Sequence, residues 1–135
     1  MYIDKKDERP KSGQTKEIQR NKRSEAREEA FRIIFGLSFV IEIQSYENIS
    51  NFAKELIEKT KENLKSIDEF IKNNLNKWKF ERINKVDLAL LRIAICEMLF
   101  LEDPTPKPVA ISEALKFAKD YNGSETFING ILAKM

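Results

Sequence analysis

The chain has 135 residues, 34% of them charged, with four Gly, four Pro, one Cys and no His. That length fits one domain, and so few breakers in so charged a chain point to a mostly helical fold. The absence of histidine excludes Ser-His-Asp and Cys-His catalysis along with the commonest metal ligand, and a single cysteine excludes an internal disulfide.

The net charge of +2 conceals an asymmetry. Residues 1–23 hold eight Lys/Arg against four Asp/Glu, whereas the rest of the chain carries sixteen basic and eighteen acidic residues. A basic arm on a slightly acidic body is a pattern of nucleic-acid binders, although a solvated tail has the same composition. Residues 1–19 lack apolar periodicity and include Pro10, Ser12 and Gly13, so a disordered basic extension is expected there, followed by one folded domain over 20–135. This opening stretch is too polar for a signal peptide, and no apolar run is long enough to span a bilayer. The expectation is a cytoplasmic protein with no membrane association.

The first helix is predicted from about Arg20 to Gln44. Ala26, Ala30, Ile33, Ile34, Leu37 and Ile41 form its core stripe by steps of three and four. A second stripe, Phe31, Phe35 and Phe39, lies about 160° around the helix. Two opposed stripes mean either complete burial or a helix shared between its own core and a partner. Arg20, Arg23 and Arg27 occupy one side of the opening turns, where they either neutralise phosphates or stand as ordinary solvated arginines.

A break at 46–49 precedes a second helix, about Ser50 to Lys61, with Phe52, Ala53, Leu56 and Ile57 inward. The third, about Asn63 to Leu75, turns Leu64, Ile67, Ile71 and Leu75 to the core. Trp78 and Phe80 mark a packed connection. Asn84 suits the N-cap of a fourth helix, KVDLALLRIAICEML (Lys85 to Leu99), with Asp87 in its first turn where the helix dipole favours an acid. This helix is apolar almost all round and so belongs at the centre of a bundle. Arg92 inside it needs a carboxylate, carbonyls or a phosphate, and neither Asp87 nor Glu97 stands at a favourable i±3 or i±4 spacing. Cys96 reads as a small buried side chain.

A proline-rich turn, Leu101 to Lys107, leads to a helix with Pro108 in its first turn, closed by Asn122-Gly123 as a glycine C-cap. Ser124 can cap the last helix. Phe127, at the edge of the stripe formed by Ile128, Ile131 and Leu132, serves either the core or base stacking. There is no Gly-rich phosphate loop, no ligand spacing for a metal, and no convergent carboxylate pair, so neither an enzyme nor a cofactor is expected.

Four blocks in register, RSEAREEAFRIIFGL, KVDLALLRIAICEML, VAISEALKFAKDY and FINGIL, resemble the signature blocks of the bacterial transcription antitermination factor NusB family, spanning about Arg20 to Met135. The resemblance implies an all-α fold of about seven helices in two small helical subdomains that binds RNA and does no chemistry. It implies pairing with ribosomal protein NusE, joint binding of boxA RNA from ribosomal RNA leaders, and a place in the RNA polymerase antitermination complex. Carried over by position, RNA contacts fall to Arg20, Arg23, Arg27, Arg92 and Phe127, with Trp78, and NusE contacts to Phe35, Phe39 and Asp87. A monomer or weak homodimer is expected without NusE.

The chain departs from the family at several positions. Ser24 and Glu25 interrupt a denser arginine run, Leu88 replaces a usually basic residue, Cys96 a tyrosine and Ser112 an asparagine. Two other readings remain open. One is a helical scaffold that binds only protein. The other is a stand-alone relative of the N-terminal RNA-binding part of ribosomal RNA cytosine methyltransferases, whose catalytic domain has no room before Met135.

Overall fold

A computed structural model describes residues 12–37, 50–77 and 79–135, with side chains described from residue 22 to 36 in the first of these segments. Within them lie six α-helices and no strand: α1 (Ser12–Leu37), α2 (Asn51–Glu62), α3 (Leu64–Asn73), α4 (Lys85–Leu99), α5 (Lys107–Asp120) and α6 (Glu125–Leu132). A single 3-10 turn (Phe80–Arg82) joins α3 to α4. The all-α class is as expected, with a helix number close to the seven anticipated. Among the described residues no helix is long and apolar enough to cross a membrane.

α4 packs against each of the other five helices. The cause is legible in its composition, since residues 88 to 91 and 93 to 96 are all buried and so leave no solvated face. Asn84 accepts the Val86 N–H at 2.8 Å and starts the helix. Ser50 caps α2 through the Ala53 N–H, and Ser124 caps α6 through the Phe127 N–H. Each satisfies an amide that the first helical turn leaves without a partner.

α1 begins at Ser12, eight positions before the expected Arg20, and its predicted end at Gln44 lies outside the described residues. Ala26, Ala30 and Ile34 face the core as the periodicity required. Phe31, placed on the opposite stripe, is also buried, because its ring lies 4.7 Å from that of Tyr121 at the end of α5. α1 is therefore covered by α2 and α4, with Tyr121, just after α5, closing over Phe31.

Pro108 stands in the first turn of α5, as its missing N–H allows. The turn after α5 corrects one expectation. The left-handed residue is Asn122, with φ of 60°, and not Gly123. Gly123 is required by close approach instead, since a Cβ there would lie 2.5 Å from Asp87 Oδ1.

Candidate nucleic-acid interface

The opening turns of α1 divide their arginines between surface and interior. Lys22 and Arg23 are exposed. The Arg23 guanidinium lies 4.7 Å above the ring of Phe52, a residue of the first turn of α2, which holds the cation in place while leaving its N–H groups toward solvent. Among the described residues neither Lys22 nor Arg23 has a carboxylate within ion-pair distance.

Arg27, one turn later, is 3% exposed and points inward. Its Nε donates to both oxygens of Glu97 at 2.8 Å, and its Nη1 to Glu113 Oε1 at 3.2 Å. Glu97 also accepts the Thr105 hydroxyl at 2.8 Å, which ties the proline-rich turn to α4. Burial pushes the Glu97 carboxyl above its ordinary range, and Arg27 opposes that shift. Arg27 is thus the counter-ion of a buried acid, a correction to its expected place on the RNA face. The three arginines lie within about 60° of one side of α1, so the difference is position along the axis: Arg27, one turn further on than Arg23, reaches the seam with α4 and α5.

Arg92 meets a similar fate on another helix. Its Nε and Nη2 donate at 2.9 Å to the two carboxylate oxygens of Asp68 on α3, a bidentate pair whose side chains are 14% and 17% exposed. The carboxylate required by the sequence reading exists, but neither Asp87 nor Glu97 supplies it. Asp87 is itself buried and accepts the Ser124 N–H at 2.8 Å, so it organises the start of α6 from within and is not surface for a partner. Burial raises its pKa and the Ser124 amide only partly offsets this. The Cys96 thiol, buried on α4 and 3.8 Å from the Leu56 carbonyl, is pushed up to about 11 by burial, as befits an inert core side chain.

Of the two phenylalanines expected to face a partner, Phe35 is half-buried and stacks on Phe31 with centroids 5.8 Å apart. Phe39 lies outside the described residues, as does Trp78, and the Arg20 side chain is likewise not described.

Phe127 is half-buried at the edge of a surface groove of about 270 Å³ between α6 and the segment following α3. Asn74, Asn76 and Lys77 line one wall, and Gly130 and Lys134 the other. Gly130 leaves the floor open, since a Cβ there would meet nothing within 4 Å. Lys134 closes one end by donating to the Asn74 carbonyl at 2.8 Å. A flat ring, two amides and two cations around an open groove suit a planar polar ligand that carries negative charge. Sequence periodicity named only Phe127 of this group, because Asn76 and Lys77 belong to no repeating pattern and join the groove only where the segment following α3 approaches α6. The Arg23 and Phe127 features lie on separate seams of the bundle, α1–α2 and α3–α6.

The NusB family model matches residues 17–135. A transcription antitermination protein NusB of Clostridium botulinum is 49% identical over 87 residues, covering 63% of this chain and 60% of that protein. The chain therefore spans about 60% of the length of the first curated relatives it matches. The protein of the same name from Finegoldia magna is 35% identical over 127 residues, covering 84% of this chain and 92% of the relative. Among solved structures, T. maritima NusB superposes with a TM-score of 0.71 at 35% identity, covering 83% of this chain and 88% of that one.

Proposed function

This chain belongs to the NusB family, and on that premise we propose that it is a transcription antitermination factor, a binding protein and not an enzyme. In the cytoplasm, together with ribosomal protein NusE, it holds boxA-type single-stranded RNA of ribosomal RNA leaders and helps RNA polymerase pass termination signals. The observation that carries the RNA reading is the Phe127 groove. Recognition of single-stranded RNA combines stacking of splayed bases on aromatic rings with neutralisation of phosphates, and the groove sets a ring beside Lys77 and Lys134. Arg23, fixed over Phe52, and Lys22 supply further cations at the other seam, with Arg20 preceding them on the same helix. Trp78 adds a second aromatic next to the groove residue Lys77 in the chain. Arg27 and Arg92 contribute by holding α4 to its neighbours. Phe35 and Phe39 form the NusE-facing surface, and the isolated chain is a monomer that becomes a heterodimer.

The test is a titration of boxA RNA against a scrambled strand in the presence of NusE. Phe127→Ala lowers RNA affinity by about 1–3 kcal/mol without altering its salt dependence, because stacking releases no counterions. Arg23→Ala lowers the slope of log K against log salt by roughly 0.7. Equal binding of boxA and scrambled RNA by the parent complex would refute the antitermination reading.

A further inference from the structure

The basic opening of α1 does not end at α1. Lys116, in the middle of α5, donates from Nζ to the hydroxyl of Ser24, the residue immediately after Arg23. The same ammonium lies 3.3 Å from Glu113 Oε2 and 4.9 Å from the centroid of the Phe117 ring. Three contacts on two helices hold it, yet the side chain remains 47% exposed. Arg23 has the corresponding arrangement on the opposite flank of α1, over Phe52 of α2.

Around Lys116, Arg27 balances Glu97 and the ammonium itself balances Glu113. Among the described residues Glu113 is the one carboxylate within ion-pair distance of it, and that carboxylate is shared with Arg27. Lys22 and Arg23 add two cations with no carboxylate at ion-pair distance among the described residues. Cations already ordered by a ring and a hydrogen bond lose less conformational freedom on binding than loose surface lysines do. From this juxtaposition we infer that the phosphate-contacting surface of this protein crosses α1 from Arg23 onto α5, where Lys116 is a specific RNA contact. The inference rests on the RNA-binding reading above and extends it to Lys116 of α5, a residue outside the RNA contacts expected from the sequence. It commits to RNA phosphates. A protein partner's carboxylates, the other anions such a surface would accept, would appear in the test as a loss of NusE binding instead.

The experiment is a salt titration of boxA RNA binding by the full chain with NusE, comparing the parent with Lys116→Gln, Lys116→Arg, Ser24→Ala and Arg23→Ala. Lys116→Gln lowers the slope of log K against log salt by roughly 0.7, one phosphate contact, while NusE affinity stays unchanged. Lys116→Arg restores the slope. Ser24→Ala, which removes no charge, keeps the parental slope. If Arg23→Ala lowers the slope and Lys116→Gln does not, RNA stops at α1 and this inference alone is wrong. If Lys116→Gln instead weakens NusE binding, the surface belongs to a protein. If the parent shows neither boxA preference nor salt dependence, the RNA reading itself fails. Thermal melts of each variant confirm that the compared proteins are equally folded.

Discussion

Replacing Arg27 by Met tests whether this arginine belongs to the core or to the RNA face. Methionine retains much of the stem and removes the guanidinium, so the main loss is the counter-ion of Glu97, a carboxylate only 1% exposed. Breaking a buried pair from one side costs about 3–5 kcal/mol, because the remaining charge is left desolvated and unpaired. That is a large share of the roughly 5–15 kcal/mol that holds a domain of this size. With an unfolding entropy of about 2.1 cal/mol/K per residue over 135 residues, each kcal/mol lowers Tm by about 3.5 °C, so the variant melts about 11–18 °C below the parent. The double variant Arg27→Met with Glu97→Met, which removes both charges, recovers much of the loss.

The pH dependence of the Arg27→Met deficit carries a sign. Burial raises the Glu97 pKa and Arg27 opposes the rise, so without the arginine the folded-state value climbs further. A folded state that binds its proton more tightly loses stability as pH rises through the interval between the unfolded and folded values. The deficit is therefore larger at the higher of two pH values, such as 7.5, than at the lower, such as 5, where Glu97 takes up a proton more readily. Urea denaturation followed by circular dichroism at both pH values measures it. If Arg27→Met melts like the parent but loses one phosphate's worth of salt slope with RNA, Arg27 is a surface contact and the reasoning fails.

Leu91→Ala, at the centre of α4, costs about 2–5 kcal/mol in urea unfolding through the cavity it leaves, and an unaltered midpoint would mean that α4 is not the hub. Asp87→Asn flattens one part of the stability profile. Burial raises the Asp87 pKa, so its contribution is present below the unfolded value and lost as pH rises through the folded value, and the variant lacks this decline. Gly123→Ala destabilises by about 1–3 kcal/mol because its Cβ collides with Asp87 Oδ1, and its cost falls in an Asp87→Ala background, measured as a double-mutant cycle. Phe39→Asp abolishes NusE binding in pull-down and calorimetry while the melting temperature stays near the parent's; a variant that unfolds instead assigns Phe39 to the core.

The sequence by itself determined the helices and the centre of the bundle. α4 is apolar on every side, which only encirclement satisfies, and the caps at Asn84 and Ser124 are local chemistry between neighbours in the chain. It also demanded a partner for Arg92, since a guanidinium on such a helix cannot go unpaired. Which partner was a matter for the tertiary structure. Asp68 lies 24 positions away and Glu97 lies 70 from Arg27, separations at which no periodicity operates. The same limit hid the Phe127 groove and the contact between Lys116 and Ser24, both made where two helices distant in sequence pack side by side. Helical spacing says which residues share a face. Whether that face meets solvent, a carboxylate or another helix depends on how the bundle closes, and so Arg23 and Arg27, one turn apart, lie one at the surface and one in the core.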